Sequence, residues 1–343
     1  MKSKIKFLGI DIGGAHIKLV GLNEKKELIF VDYIKFYFWK EEKSINKVFN
    51  YINSKSNKNT LSGITMTAEL CDIFKNRLDG FRKIYNYCKK LKNDYFFYTK
   101  SKKKIFKKTD YSEIVSMNWH SIGRLLERQL KNAIIVDFGS TTTDIICVKN
   151  HIIQNKNFDD FSRINSNELV YTGLTRTPIF AIDKKVRINR KYFEIIPEFF
   201  SDMSDVYRIN SILKKQFDID ETADGKRRSK FSSYARLSRN FGLDFKKSNQ
   251  NLIKDLSKEI IKTQLEKIYL AIKKNRAKYK IEKKSEIIVC GIGKDVLSDF
   301  LNLKKEQVIQ FSDLVKCSNQ NLKTKAAFHT PAFCIASLLS ELK

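Results

Sequence analysis

Asp137-Phe138-Gly139-Ser140-Thr141-Thr142-Thr143-Asp144 follows one apolar run, Ala133 to Val136, and leads into another, Ile145 to Val148. Two short apolar strands joined by a Gly/Ser/Thr turn predict a β-hairpin. Its tip offers backbone N–H groups, the hydroxyls of Ser140, Thr141, Thr142 and Thr143, and two flanking carboxylates. Such a tip suits a phosphate: amides and hydroxyls donate to its oxygens, and the Asp residues hold a hydrated Mg²⁺ that neutralises it. The same residue types are ordinary turn formers, so a polar hairpin without a ligand is the competing reading.

The N-terminus shifts that balance. Ile5 to Ile12 is a second apolar run, followed by Gly13-Gly14-Ala15-His16 and another apolar stretch, Ile17 to Gly21. Asp11 stands here where Asp137 stands in the later copy. The repetition implies a duplicated domain with a phosphate-binding hairpin in each half. A chain of 343 residues exceeds the usual single core, so two lobes are expected.

Composition narrows the function classes. With 42% hydrophobic and 12% aromatic residues, there is material for two cores, which argues against wholesale disorder. The excess of 66 basic over 38 acidic residues, +28, raises nucleic acid as a partner. The lysines are spread along the whole chain and no nucleic-acid motif accompanies them, so we read a solvated basic surface and expect no nucleic-acid partner. The six cysteines, at 71, 88, 147, 290, 317 and 334, are widely spaced without a Cys-x-x-Cys pair. That spacing indicates neither a disulfide framework nor a zinc site and fits a reducing compartment. The first apolar run is broken by Asp11 and the Gly pair, a poor signal peptide, and no stretch reaches the length of a membrane span. A soluble cytoplasmic protein acting on small molecules, with no membrane partner, is expected. The sequence does not set its oligomeric state.

A third strand at Glu27 to Tyr33, a helix at Ser44 to Ile52, a strand at Leu61 to Met66, a helix near Arg82 to Lys90 and a strand at Tyr95 to Tyr98 follow the first hairpin. A helix from Asn118 to Leu130 carries Trp119, Ile122, Leu126 and Leu130 at helical spacing. The order β-β-β-α-β-α-β-α is that of an RNase H-like lobe, residues 1–131. Lys100 to Lys108 reads as an exposed basic linker. A second RNase H-like lobe, 132–328, begins with the Asp137 hairpin and a strand at His151 to Asn155. Residues 157–244 are polar and weakly periodic, and read as an inserted subdomain that defines the substrate. A long amphipathic helix, Leu252 to Lys273, places Leu256, Ile260, Leu265, Ile268 and Ile272 near one face. Glu286 to Cys290 is a buried strand ending in Gly291-Ile292-Gly293-Lys294, where a nucleotide or diphosphate can approach the backbone; a plain tight turn is the alternative. The terminal segment, 329–343, holds a helix from Pro331 to Leu342 capped by Thr330 and is expected to pack back on the first lobe.

With three glycine-bearing turns in this order, the chain resembles the superfamily of acetate and sugar kinases, actin and heat-shock chaperones, the actin-like ATPase fold. Within it the sequence looks like the hydantoinase A/oxoprolinase-like branch. There it resembles the subgroup described as tetrahydromethanopterin-linked one-carbon transfer pathway proteins, similar to the methanofuran-biosynthesis synthase that joins a tyramine phenol to an aminomethylfuran diphosphate. The resemblance rests on Gly9 to Lys18, Thr65-Met-Thr-Ala-Glu-Leu-Cys-Asp72, Asn118-Trp-His120, Asp137 to Asp144, Glu168-Leu-Val-Tyr-Thr-Gly173, Arg176-Thr-Pro178, Asp205-Val-Tyr-Arg208 and Thr222-Ala-Asp-Gly225, which span most of the chain. It implies phosphates bound by a hairpin from each lobe, adenosine by a later Gly-rich turn, and substrates bearing amino groups.

Candidate roles follow. Asp11, Asp137 and Asp144 are expected to converge as ligands of Mg²⁺, with turn capping as the competing role for each. Glu69 and Asp72, after a predicted strand, are candidates for general base or metal contact, and equally for a helix N-terminus; Asp137 joins them as a catalytic candidate. Phosphate contacts fall to Gly13, Gly14, His16, Gly139, Ser140, Thr141, Thr142, Gly291 and Gly293. Glu168, Tyr171, Arg176, Asp205, Arg208 and Asp224 are substrate candidates, the arginines clamping anions and the acids receiving ammonium groups; surface ion pairs explain the same residues. His120 is a substrate candidate or a packed structural histidine. The expected activity is a transferase releasing pyrophosphate as an aryl ether forms. The alternatives are an ATP-dependent kinase, a hydantoinase-like amidohydrolase, or a nucleotide-dependent scaffold; whether ATP is used is open.

Overall fold

The computed structural model describes residues 4–41, 44–101, 104–108 and 111–342. They form two compact units: Met1–Ala133 with Val148–Asp159 and Ile309–Lys343, and Ile134–Cys147 with Asp160–Val308.

In the first unit β1 (Phe7–Ile12), β2 (His16–Leu22) and β3 (Leu28–Lys35) make an antiparallel meander. Helices α1 (Phe38–Glu41) and α2 (Ile45–Lys55) lead to β4 (Leu61–Met66), which pairs parallel with β1. Helix α3 (Arg77–Cys88) crosses to β5 (Asp94–Tyr98), parallel to β4, and β6 (Phe106–Lys107) closes the edge antiparallel. The sheet order is β3-β2-β1-β4-β5-β6. Helices α4 (Tyr111–Ile114) and α5 (Asn118–Leu126) follow. The Lys100 to Lys108 stretch is therefore more than a linker: Phe106 is a buried strand residue, while Lys102 and Lys103 lie outside the described residues. Leu130 falls beyond the end of α5 and is only half-buried.

Alternation along β1 divides the first unit's core. Leu8, Ile10 and Ile12 join one cluster with Ile45, Val48, Phe49 and Ile52 of α2, a helical stripe meeting a pleated face. On the other face Gly9 and Gly63 admit a terminal helix: a β-carbon at Gly9 would fall 1.9 Å from Ala332 O, and one at Gly63 2.6 Å from Ile335.

Strands β7 (Asn132–Phe138) and β8 (Thr143–Lys149) lie mostly in the second unit, β9 (Ile152–Ile153) falls in the first, and α6 (Asp160–Asn165) and β10 (Leu169–Val170) fall in the second. A two-stranded ribbon, β11 (Lys185–Ile188) and β12 (Lys191–Glu194), precedes α7 (Met203–Ile209) and α8 (Lys230–Arg239). The 29-residue helix α9 (Gln250–Lys278) buries Leu256, Ile260, Leu265, Ile268 and Ile272. Then come β13 (Glu286–Cys290), α10 (Lys294–Leu303) and β14 (Val308–Gln310). The sheet order is β10-β8-β7-β13-β14, with β9 pairing to β8. Helices α11 (Phe311–Leu314), α12 (Gln320–Phe328) and α13 (Thr330–Ser340) belong to the first unit. The α13 cap residue is His329 rather than Thr330, whose hydroxyl instead donates to Ala327 O at 3.0 Å. Among the described residues no helix is long and apolar enough to cross a membrane.

Candidate active site

Both hairpin turns close in the same way. Gly13 N donates to His16 O at 3.0 Å and Gly139 N to Thr142 O at 2.9 Å, so these two glycine amides hold the turns rather than face a ligand. In the first unit one register row crosses the sheet: Tyr33 on β3, Lys18 on β2, Asp11 on β1 and Thr65 on β4. Asp11 is fully buried; its Oδ2 accepts from Lys18 Nζ at 2.8 Å. Its Oδ1 and the Thr65 hydroxyl have no hydrogen-bond partner among the described residues. Lys18 Nζ and Thr67 Oγ1 both lie 3.8 Å from the β-carbon position at Gly13, and Cys71 Sγ would meet one at Gly14 at 2.7 Å. His16 is buried and stacks on Tyr33 at 4.6 Å; Tyr33 stacks in turn on His329 at 4.8 Å. Burial, with the Lys18 cation beside it, pushes the His329 imidazole down to about 3, so it is neutral throughout the ordinary pH range.

Glu69 lies in a short 3₁₀ turn, Ala68–Leu70, immediately after β4. It is 1% exposed. Ser116 Oγ donates to its Oε1 at 2.7 Å, and its Oε2 has no partner among the described residues. Burial raises its pKa above the usual carboxylate range, against the lowering effect of Ser116. A carboxyl so placed exchanges a proton nearer neutrality than an exposed one. Helix α3 approaches its backbone at Gly80, where a β-carbon would fall 2.7 Å from Glu69 O. Asp72 is exposed in the following turn. His120 is buried: Tyr98 Oη lies 2.8 Å from its Nδ1, and Trp119 and Phe158 pack on its ring. Those contacts give it a packing role.

In the second unit the loop after β10 wraps the hairpin tip. Leu174 N donates to Gly139 O, while Thr175 N and Arg176 N donate to Ser140 O. A β-carbon at Gly173 would fall 2.3 Å from the Ser140 backbone. Arg176 Nη1 reaches Thr141 Oγ1 at 3.4 Å, and Thr175 Oγ1 donates to Asp220 at 3.0 Å. From α9, Gln264 donates to Thr172 Oγ1 at 2.7 Å and to Gly173 O at 2.8 Å, fixing the loop from behind. Thr143 is a strand residue whose hydroxyl donates to Thr172 O, which leaves Ser140, Thr141 and Thr142 at the tip. Gly291, at φ +82°, and Gly293 let the β13–α10 turn lie against Asp137 and Phe138: their β-carbons would meet Asp137 Oδ1 at 2.4 Å and the Phe138 ring at 2.3 Å. Close packing on β7 thus accounts for both glycines.

Other candidates are spent on structure. Asp144 Oδ1 accepts from Arg163 at 2.8 Å, and both are buried. Buried Glu168 accepts from Lys278 Nζ at 2.8 Å and from the Tyr279 hydroxyl. Asp205, fully buried, accepts from Arg208, Arg236 and Ser233; Arg208 also reaches Asp218, and Arg236 reaches Asp224. The insertion therefore holds an internal ion-pair network where the sequence suggested substrate contacts or surface pairs. Tyr171 alone of this group is widely exposed, at 60%. Among the described residues no group of three or more His, Cys, Asp or Glu side chains is arranged to hold a metal ion.

Three further residues lie beside the candidate residues but were not among the sequence candidates. Lys18 lies one strand alternation beyond His16, and Lys294, buried with its Nζ 2.7 Å from Asp295, completes the Gly291–Lys294 run; both were visible in the quoted motifs as cations beside glycine turns. His329 gave no local signal, because its place beside Tyr33 depends on the packing of the chain's last helices.

The chain matches the hydantoinase/oxoprolinase family over residues 60–305. It is similar, at 27% identity over 98% of both chains, to a Methanocaldococcus jannaschii protein named (4-{4-[2-(gamma-L-glutamylamino)ethyl]phenoxymethyl}furan-2-yl)methanamine synthase. It is 30% identical to a Methanococcus vannielii protein of the same name, over 61% of this chain and 91% of that one. Among solved structures it is similar to a ROK family glucokinase from Streptomyces griseus in complex with glucose and AMPPNP, with a TM-score of 0.50, 9% identity, and 98% and 99% of the two chains covered. That likeness shows the fold alone, two RNase H-like lobes.

Proposed function

Because this chain belongs to the hydantoinase/oxoprolinase family, we propose that it is a transferase of methanofuran-type coenzyme biosynthesis, condensing an aminomethylfuran-methyl diphosphate with the phenol of tyramine or glutamyl-tyramine. The observation that carries this reading is the end-to-end similarity to a synthase whose named product is a phenoxymethyl-furan amine. The buried carboxyl of Glu69 supports it chemically, since the reaction needs one proton acceptor for a phenol and little other acid–base work.

In this mechanism the phenol oxygen attacks the furan methylene carbon, the carbon–oxygen bond to the diphosphate breaks, and pyrophosphate departs with the bonding pair. The phenol proton passes to Glu69 Oε2. In the first unit we assign diphosphate oxygens to the Lys18 cation; in the second, the hydroxyls of Ser140, Thr141 and Thr142, with the Arg176 cation, offer the same chemistry to an anion. The carboxylates Asp11 and Asp137 are hard oxygen donors of the kind Mg²⁺ prefers. Asp11 fits best, having one unpartnered oxygen; Asp144 fits least, because Arg163 already occupies it. Bound at Asp11, Mg²⁺ would neutralise charge on the leaving group. ATP has no part in this scheme. Incubation of the protein with Mg²⁺, the furan diphosphate and either phenol should release pyrophosphate and ether in equal amounts; competent substrates yielding no ether would refute the reading.

A further inference from the structure

We infer that Ser116 is a positioning residue for the Glu69 carboxyl, fixing Oε1 so that Oε2 is the oxygen presented to the reacting hydroxyl; this rests on the transferase reading above. Val115 forms a parallel bridge with Met66 at the end of β4, which brings residue 116 beside the 3₁₀ turn that carries Glu69. Ser116 then takes a left-handed backbone, φ +53°, a conformation that costs strain for a residue with a β-carbon. The strained residue is buried, 5% exposed, and its hydroxyl is spent on Glu69 Oε1 at 2.7 Å. From the other side α3 is seated against the Glu69 backbone through Gly80. The carboxyl is thus held at its backbone and at one oxygen, while the second oxygen is left without a partner among the described residues. Packing alone favours satisfying both oxygens of a buried carboxyl. Holding one and sparing the other is the arrangement of a group that receives a proton at a defined atom.

The test compares Ser116→Ala, Ser116→Gly and Ser116→Asn with the native chain. Gly relieves the left-handed strain and Asn tolerates it, so folding and hydroxyl loss are separated. The Glu69 carboxyl is followed by ¹³C NMR of Glu-labelled protein, its signal assigned by its disappearance in Glu69→Gln. Loss of the donor removes a hydrogen bond to the charged form, so Ala and Gly should both move the titration upward by on the order of one pH unit. The acid limb of kcat should move with it, and kcat below that limb should fall about tenfold with KM unchanged, as the same one-unit shift requires. Asn, which still donates, should restore both. A titration that stays put in Ala and Gly, or a kcat limb that does not follow it, would overturn the assignment. Failure of the native protein to form ether would overturn the transferase reading instead, and the carboxyl titration would still decide whether Ser116 governs Glu69.

Discussion

Glu69 and Asp205 are buried to the same degree, 1% and 0% exposed, yet their surroundings are opposite. Asp205 receives bonds from two guanidinium groups and a serine hydroxyl. Glu69 receives one side-chain bond, and an oxygen is left over. Saturation, more than burial, separates a carboxylate that holds a fold together from one able to react. A buried carboxylate bracketed by guanidinium groups is committed to the fold, whereas at Glu69 burial raises the pKa against the lowering effects of the Ser116 hydroxyl, backbone N–H groups and Arg77, and keeps the carboxyl close to proton exchange.

That contrast breaks if the wrong residue proves indispensable for chemistry. Glu69→Gln keeps the acceptor for Ser116 and removes the buried charge, so the protein should fold with unchanged or higher stability while turnover drops by about 10²–10⁴-fold, read by steady-state kinetics. Asp205→Asn should do the reverse: two arginines lose their shared carboxylate, and denaturant titration should register a loss of about 3–5 kcal/mol. Gly80→Ala sharpens the picture of how Glu69 is held. Its new β-carbon would fall within 2.8 Å of the Glu69 backbone, and despite a better helix former in α3 the net cost should be about 1–3 kcal/mol by the same titration. The last effect is electrostatic. Burial, then the neighbouring Asp205 carboxylate, raises Asp202 from its ordinary range to about 7. The folded state therefore binds more protons than the unfolded state between those values, so the stability contributed by Asp202 is complete in acid and is lost as pH rises through about 7. The slope is at most about 1.4 kcal/mol per pH unit for one proton. Stability measured at pH 5 and pH 8 should diverge less in Asp202→Asn than in the native chain.

Where punctuation and period coincide, the sequence was legible. Leu61–Met66 and Glu286–Cys290 are strands with the expected bounds, and both hairpins lie where Gly follows Asp-Ile or Asp-Phe. The insertion was harder to read because part of its interior is built from Asp202, Asp205, Arg208 and Arg236, residues that hydrophobic periodicity counts as surface. At the site, Glu69 was legible from its place after a strand. Ser116 was not: its relevance arises from a pairing of Val115 with Met66 across 49 positions of chain, and a lone serine carries no local signature of a left-handed backbone. Gly291 and Gly293 illustrate the reverse difficulty, since a glycine admitting a phosphate and a glycine admitting the Phe138 ring are the same letter.

The central claim is that a phenol oxygen, rather than a phosphoryl group, is transferred to its new bond at this site. Tyramine and glutamyl-tyramine labelled with ¹⁸O in the phenol, incubated with the furan diphosphate, Mg²⁺ and ATP, decide it by mass spectrometry. The account expects the label in the aryl ether, unlabelled pyrophosphate and unconsumed ATP; a phenyl phosphate carrying the label, or ATP hydrolysed with no ether formed, would contradict it.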